Sequence, residues 1–333
     1  MNNRNQTIDV LKGIMILAVI LGHIAGTISD SPHNNVIFLL CYSWHMFCFM
    51  MTVGYIAAQY GHIENNKAKL LMRAKRLLVP YFVWTILRAI SLGHYDVLQV
   101  FKDMFVTPLY WFLLVQFIYE VIVFICGKSK NKIMIIIFSA LMFGGIYVVT
   151  KTELFRQTIQ YFPYYFIGYF WGRARQSEKF ILHFKRIIPL IAIFYPLSMY
   201  FYAFKDKCIV TERLNNFLVS LNIVGGAREK IVYYAYHGGF QLYNYVIVAM
   251  LGSAFYLCIA YIIDLYGGYL RLILSKLGKY TLQYYVLSAF GYVTIFSKSI
   301  NWMLSLILCL LLPFVCIYLT KQRSKLNKIM FGS

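Results

Sequence analysis

Apolar residues in this chain gather into runs of roughly 20 residues, the length needed to cross a bilayer as a helix, separated by short charged or turn-forming stretches. Ten such runs are predicted: Ile8–Thr27, Val36–Ala58, Leu77–Leu92, Met104–Cys126, Ile133–Val149, Ile159–Trp171, Ile187–Phe204, Phe240–Asp264, Tyr280–Phe296 and Asn301–Thr320. The pattern predicts an all-α, polytopic membrane helix bundle forming a single integral domain over 1–333. Its two longest polar interruptions are Gln59–Arg76 and the segment 205–239. Within the latter, Leu214, Phe217, Leu218 and Leu221 recur at i, i+3, i+4 and i+7 before Gly225 and Gly226, which predicts an amphipathic helix at the outer surface.

Polar positions inside the first run break the pattern. At 100° per residue, the eleven steps from Lys12 to His23 return to within roughly 20° of one direction, and Asp9 lies about 40° from His23. One helix face thus carries an acid, a base and an imidazole. Ionisable groups within a bilayer cost about 2.5–3.5 kcal/mol each on insertion scales, so they line cavities where they have partners or chemistry. The second run adds His45 on an antiparallel neighbour, close enough in depth for the two imidazoles to approach. In the fourth run, Gln116 and Glu120 share a face at i, i+4, below Trp111; Glu120 is expected to pair with Lys12 or Arg88, or to handle a proton.

Composition confirms the class: 60% of the 333 residues are hydrophobic and 13% are charged. The net charge of +20 is explained by position. With the N-terminus inside, 21 of the 32 Lys and Arg residues fall in inner segments and nine in outer ones, five of these in the long 205–239 loop. That bias predicts about ten helices with both termini cytoplasmic, and it leaves no basic surface for nucleic acid. The first run lacks a signal-peptide cleavage site and is expected to be retained. Seven cysteines show no metal-ligand spacing, so neither disulfides nor a metal are expected.

Arg73, Lys75 and Arg76 stand just before the third run. Anchoring to headgroups explains any one of them; as a cluster at the cytoplasmic mouth they could grip the phosphates of a nucleotide-bearing ligand, since guanidinium forks match phosphate oxygens. No Gly-rich phosphate loop occurs.

Five segments in order carry a resemblance: Ile8-Asp9-Val10-Leu11-Lys12-Gly13 running to Leu21-Gly22-His23; His45-Met46-Phe47 with Gly54-Tyr55; Arg73 to Pro80-Tyr81; Tyr110-Trp111-Phe112-Leu113; and Phe162-Pro163-Tyr164-Tyr165-Phe166-Ile167-Gly168. The set resembles acyltransferase family 3, the integral membrane acyltransferases. The resemblance implies transfer of an acyl group, usually acetyl, from cytoplasmic acetyl-CoA to a hydroxyl of a cell-envelope glycan or lipid-linked sugar, in the cytoplasmic membrane of a bacterium. It makes His23 the catalytic residue and Lys12, Arg73 and Arg76 the donor contacts; Asp9, on the same helix face but nearer the cytoplasmic end, is a second catalytic candidate. His45, Trp111 and Glu120 complete the set as substrate-binding residues. Many members carry a further late-helix His where this chain has Ser288. A homo-oligomer is compatible with the small residues in the spans. The alternative is a transporter or export component for an envelope polysaccharide, with the same polar face lining a permeation path; no symmetry between the two halves favours it.

Overall fold

The structure, a computed structural model, describes residues 5–28, 35–61, 63, 64, 66–129, 131–174, 178–203, 219, 220, 226, 242–291, 302–321 and 324–332. Among these there are helices and no strands. In chain order they are α1 (Gln6–Ile28), α2 (Val36–Tyr42), α3 (His45–Ile56, continued by a π turn over Ala57–Gly61), α4 (Lys67–Ser91), α5 (Val97–Phe105), α6 (Trp111–Lys128), α7 (Lys132–Thr150), α8 (Glu153–Ala174), α9 (Glu178–Ala203), a π turn (Asn244–Val248) leading into α10 (Ala249–Tyr266), α11 (Gly268–Lys279), α12 (Thr281–Phe290), α13 (Trp302–Lys321) and α14 (Ser324–Phe331).

Among the described residues, four stretches are long and apolar enough to cross a membrane: Gln6–Gly26, Val36–Gln59, Lys132–Thr150 and Asn244–Tyr266. Trp111–Gly127, Pro189–Tyr202 and Met303–Leu319 are shorter apolar helices. Helix α1 is central, with α2, α3, α10, α11, α12 and α13 all packed against it. By contrast α7, with a mean hydropathy of 2.3, buries few of its residues and packs on α6 and α8, as a peripheral, lipid-facing helix should.

Several expected runs differ in their bounds: the sixth starts early, at Glu153, and the seventh at Glu178, and three others differ for reasons the local sequence or packing supplies. The second breaks at Ser43 and Trp44, where Trp44 leaves helical geometry at φ −138°, so His45 opens a new helix. The third starts ten residues early: Asn66 caps it by accepting from the Lys69 N–H at 3.0 Å, and the Lys, Ala, Leu, Met and Arg that follow are strong helix formers. Arg73 and Arg76 therefore sit on one helical face instead of in a loop. The fourth begins at Trp111, because Pro108 disfavours helical geometry at the residue before it and separates α5 from α6. The helix expected over Leu214–Leu221 lies outside the described residues apart from Val219 and Ser220, as do Cys208 and the end of the ninth run.

Close helix approach is set by glycines, three of which, Gly13, Gly54 and Gly168, lie in the segments that carry the family resemblance. A methyl group on Gly54 of α3 would overlap the Tyr165 carbonyl of α8, and one on Gly168 of α8 would overlap the Met51 carbonyl of α3. Gly13 of α1 and Gly278 of α11 abut each other's helices at Leu274 and Asp9 in the same way. Small residues that let backbones meet are how helices associate where the solvent gives no hydrophobic drive.

Candidate functional site

Two chambers meet inside the bundle. The larger, about 700 Å³, is lined by Asp9 and Lys12 of α1, Arg73 and Arg76 of α4, Gln116 and Glu120 of α6, and residues of α11, α12 and α14. The smaller, about 310 Å³, is lined by His23, Tyr42, His45, Trp111 and a set of amide and tyrosine side chains from α8, α9 and the 244–248 turn. Met46 and Tyr285 line both and form a shared wall.

In the cationic chamber Lys12 Nζ lies 3.2 Å from Asp9 Oδ1, the i, i+3 pairing their spacing allows. Asp9 is buried, so the pair sets the position of a cation on an otherwise apolar helix. Glu120 accepts from Gln116 Nε2 at 3.1 Å. Its other oxygen, Oε2, is buried with no hydrogen bond from any described residue. The expected pairing of Glu120 with Lys12 or Arg88 is replaced by this bond: Arg88 faces Asp103 at 4.0 Å, and Asp103 also meets His94 Nδ1 at 2.8 Å. The chamber thus collects Lys12, Arg73, Arg76 and Lys279 with two carboxylates, Asp9 paired to Lys12 and Glu120 bonded to Gln116.

The histidine chamber is built by the break in the second run. At the end of α2 the Cys41 carbonyl has lost its helical partner, and His45 Nδ1 takes that place at 2.6 Å. A carbonyl only accepts, so Nδ1 carries the proton and Nε2 is the unprotonated nitrogen of the neutral ring. His23 is held through its own Nδ1, which lies 3.1 Å from the Tyr42 hydroxyl. Tyr42 stands edge-on to both imidazoles, with ring centroids 6.0 Å from His23 and 5.0 Å from His45, and stacks on Phe38 at 4.2 Å. Gly22 makes this possible, because a Cβ there would meet the Tyr42 ring at 2.8 Å. Trp111 stacks on Tyr161 at 5.0 Å and 13° to form one wall.

A polar chain runs along α8 beside this chamber. Arg156 Nε donates to Glu153 Oε2 at 2.8 Å and its Nη2 to Oε1, while Gln157 Nε2 donates to Glu153 Oε1 at 2.5 Å. Burial alone would raise the Glu153 carboxyl, but these hydrogen bonds outweigh it and hold the group below its ordinary value.

The family profile described as "Acyltransferase domain" matches residues 5–321. The chain belongs to this acyltransferase family. Among curated relatives, the nodulation protein NolL of Mesorhizobium japonicum is 25% identical over 186 residues, covering 52% of this chain and 49% of NolL. NolL of Sinorhizobium fredii is 35% identical over 89 residues, covering 25% of this chain and 24% of that protein. The chain therefore spans about half the length of the first and a quarter of the second. No solved structure matches it.

In this family member the residues singled out in the sequence divide between the chambers. Asp9, Lys12, Arg73, Arg76 and Glu120 line the cationic one; His23, His45 and Trp111 line the other. Ser288, at the place of the late-helix His of many relatives, donates to the Tyr285 carbonyl at 3.3 Å, and its helix neighbours Tyr285 and Ala289 line the histidine chamber instead. Sequence reasoning missed Tyr42, Arg156, Gln157 and Asn244 on that side and Gln283 and Asn327 on the other. For Tyr42, the signal was its position three residues before His45; the amides resemble ordinary helix-end polarity.

Proposed function

We propose that this protein is a membrane O-acyltransferase that moves an acetyl group from acetyl-CoA to a hydroxyl of a cell-envelope glycan, in the cytoplasmic membrane of a bacterium. It crosses the bilayer about ten times, with both termini cytoplasmic. The observation that carries this reading is the pair of chambers with a common wall, one cationic and one bearing two imidazoles.

A coenzyme A thioester has anionic phosphates that cannot enter an apolar bundle, and Lys12, Arg73 and Arg76 supply the counter-charge on the donor side. The pantetheine arm carries the thioester to the wall at Met46 and Tyr285. On the far side His23 accepts the proton of the acceptor hydroxyl as its oxygen bonds to the thioester carbon. The tetrahedral adduct collapses with loss of the C–S bond, the thiolate takes the proton from the imidazolium, and the ester and free coenzyme A leave. General-base assistance of this kind is worth about 10²–10⁴-fold. The Met46–Tyr285 wall supports an enzyme over a conduit, because only the reacting ends of two ligands need to meet there.

Mass spectrometry of envelope glycans from cells with and without the protein tests the reading. Loss of ester-linked acetyl groups with polymer export intact is expected; retention of polymer inside the cell would assign a transporter instead.

A further inference from the structure

We propose that the histidine chamber seats a single uncharged sugar ring, with the amide oxygens of Gln157 and Asn244 accepting its hydroxyl hydrogens and the Trp111–Tyr161 plate packing against its C–H face. The proposal rests on the acyl-transfer reading and adds to it the residues that read the acceptor.

The orientation of Gln157 is fixed by its neighbours. Its Nε2 is committed to the Glu153 carboxylate at 2.5 Å, so the amide cannot turn over, and Oε1 is left buried with no donor among the described residues. Asn244 Oδ1, on the π turn, is likewise buried without a described donor. Buried acceptors are nearly always satisfied, and exceptions mark where a ligand or water completes the bonding. Short π turns inside helices recur at such places. Both residues line the same small chamber, so its occupant has to bring at least two hydrogen-bond donors.

Charge narrows the class. Arg156 is the only ordinarily charged side chain among the described lining residues, and its guanidinium is already bridged by Glu153 through two bonds. A carboxylated or phosphorylated sugar would find no uncommitted counter-charge among the described residues that line this chamber. The volume of about 310 Å³ is at the small end of the ~300–1,000 Å³ range of ligand pockets, suited to one ring and not to a chain of them. The Trp111 and Tyr161 rings hold each other at 13°, a rigid flat wall of the kind that packs on a sugar's axial hydrogens.

The test uses the full chain in lipid nanodiscs with acetyl-CoA, following coenzyme A release. The probes are methyl glycosides of glucose, galactose and N-acetylglucosamine, with methyl glucuronide as the anionic counterpart. At least one neutral glycoside is expected to accelerate release, and the glucuronide is not. Gln157→Met and Asn244→Leu, which keep side-chain size, should each raise the KM for that glycoside about three- to tenfold, the effect of losing one neutral hydrogen bond, with the KM for acetyl-CoA unchanged. Gln157→Met also gives up its bond to Glu153, so a lower unfolding midpoint is expected for that variant. An unchanged glycoside KM in both variants, equal use of the glucuronide, or acetyl-CoA hydrolysis that no glycoside alters would each overturn the proposal while acyl transfer stands. Absence of acetyl-CoA turnover even with isolated envelope glycan would overturn the acyl-transfer reading itself.

Discussion

At the scale of single residues, the two imidazoles are prepared differently. The His45 tautomer is set by a backbone carbonyl, whereas His23 is oriented by a side-chain hydroxyl that can give or take a proton. His23→Ala is expected to abolish transfer while the protein still inserts and binds acetyl-CoA, as read by thermal stabilisation with the donor. Tyr42→Phe keeps the stack on Phe38 and the fit against Gly22 but removes the hydroxyl from His23 Nδ1. It should lower kcat about tenfold or more, within the range of general-base effects, and leave both KM values in place; parallel loss of acceptor binding would make Tyr42 a substrate contact instead. On the donor side, Arg73→Ala combined with Arg76→Ala should weaken acetyl-CoA binding. Equal stabilisation of the double variant and the parent by acetyl-CoA would count against the cationic clamp.

Among elements, the pairing of α3 with α8 fixes where His45 meets Tyr161 and the α8 amides, and two glycines allow it. Gly168→Ala forces a methyl group into the Met51 carbonyl, and overpacking of this kind costs about 1–3 kcal/mol. A clear fall in the unfolding midpoint in detergent is expected. Gly144→Ala on the peripheral α7 meets nothing within 4 Å and should be neutral or slightly stabilising, which makes it the matched control. Helical periodicity explains what was legible in the sequence. A 100° step is enough to put Asp9, Lys12 and His23 on one face of α1, and the structure keeps them there, split along its length between the two chambers. The same arithmetic separates Trp111 from Glu120, which are nine residues apart, by about half a turn of direction and 13 Å of rise, so a single substrate-binding label for both joins residues of different chambers. The break after Tyr42 was not legible. Nothing in Cys41-Tyr42-Ser43-Trp44 is a helix breaker, and the interruption arises from packing, with Trp44 stacked on Tyr256 at 3.6 Å. Gln157 and Asn244 were hidden for a similar reason, since their importance depends on which neighbours satisfy them.

For the whole molecule, the proposed reaction depends on keeping two ligands of opposite character on either side of one wall. In that proposal the acyl donor is large and anionic, the acceptor hydroxylated, and they need share only the space of a thioester carbon and a hydroxyl oxygen. Tyr285 is held at that boundary by its ring contact with Phe112 at 5.6 Å and by a hydrogen bond to the Leu109 carbonyl at 3.4 Å, so it is a fixed post. Met46, unbranched and soft, is the side of the wall that can adapt, and it directly follows His45. Met46→Trp should therefore close the passage: acetyl-CoA still stabilises the protein and a neutral glycoside still binds, but coenzyme A release falls sharply in kcat. Met46→Ala should open it, admitting water beside the thioester, so that hydrolysis without acceptor rises while the transferred fraction drops. If both variants changed only the acetyl-CoA affinity, Met46 would belong to the donor chamber alone and the reacting groups would have to meet elsewhere along Tyr285.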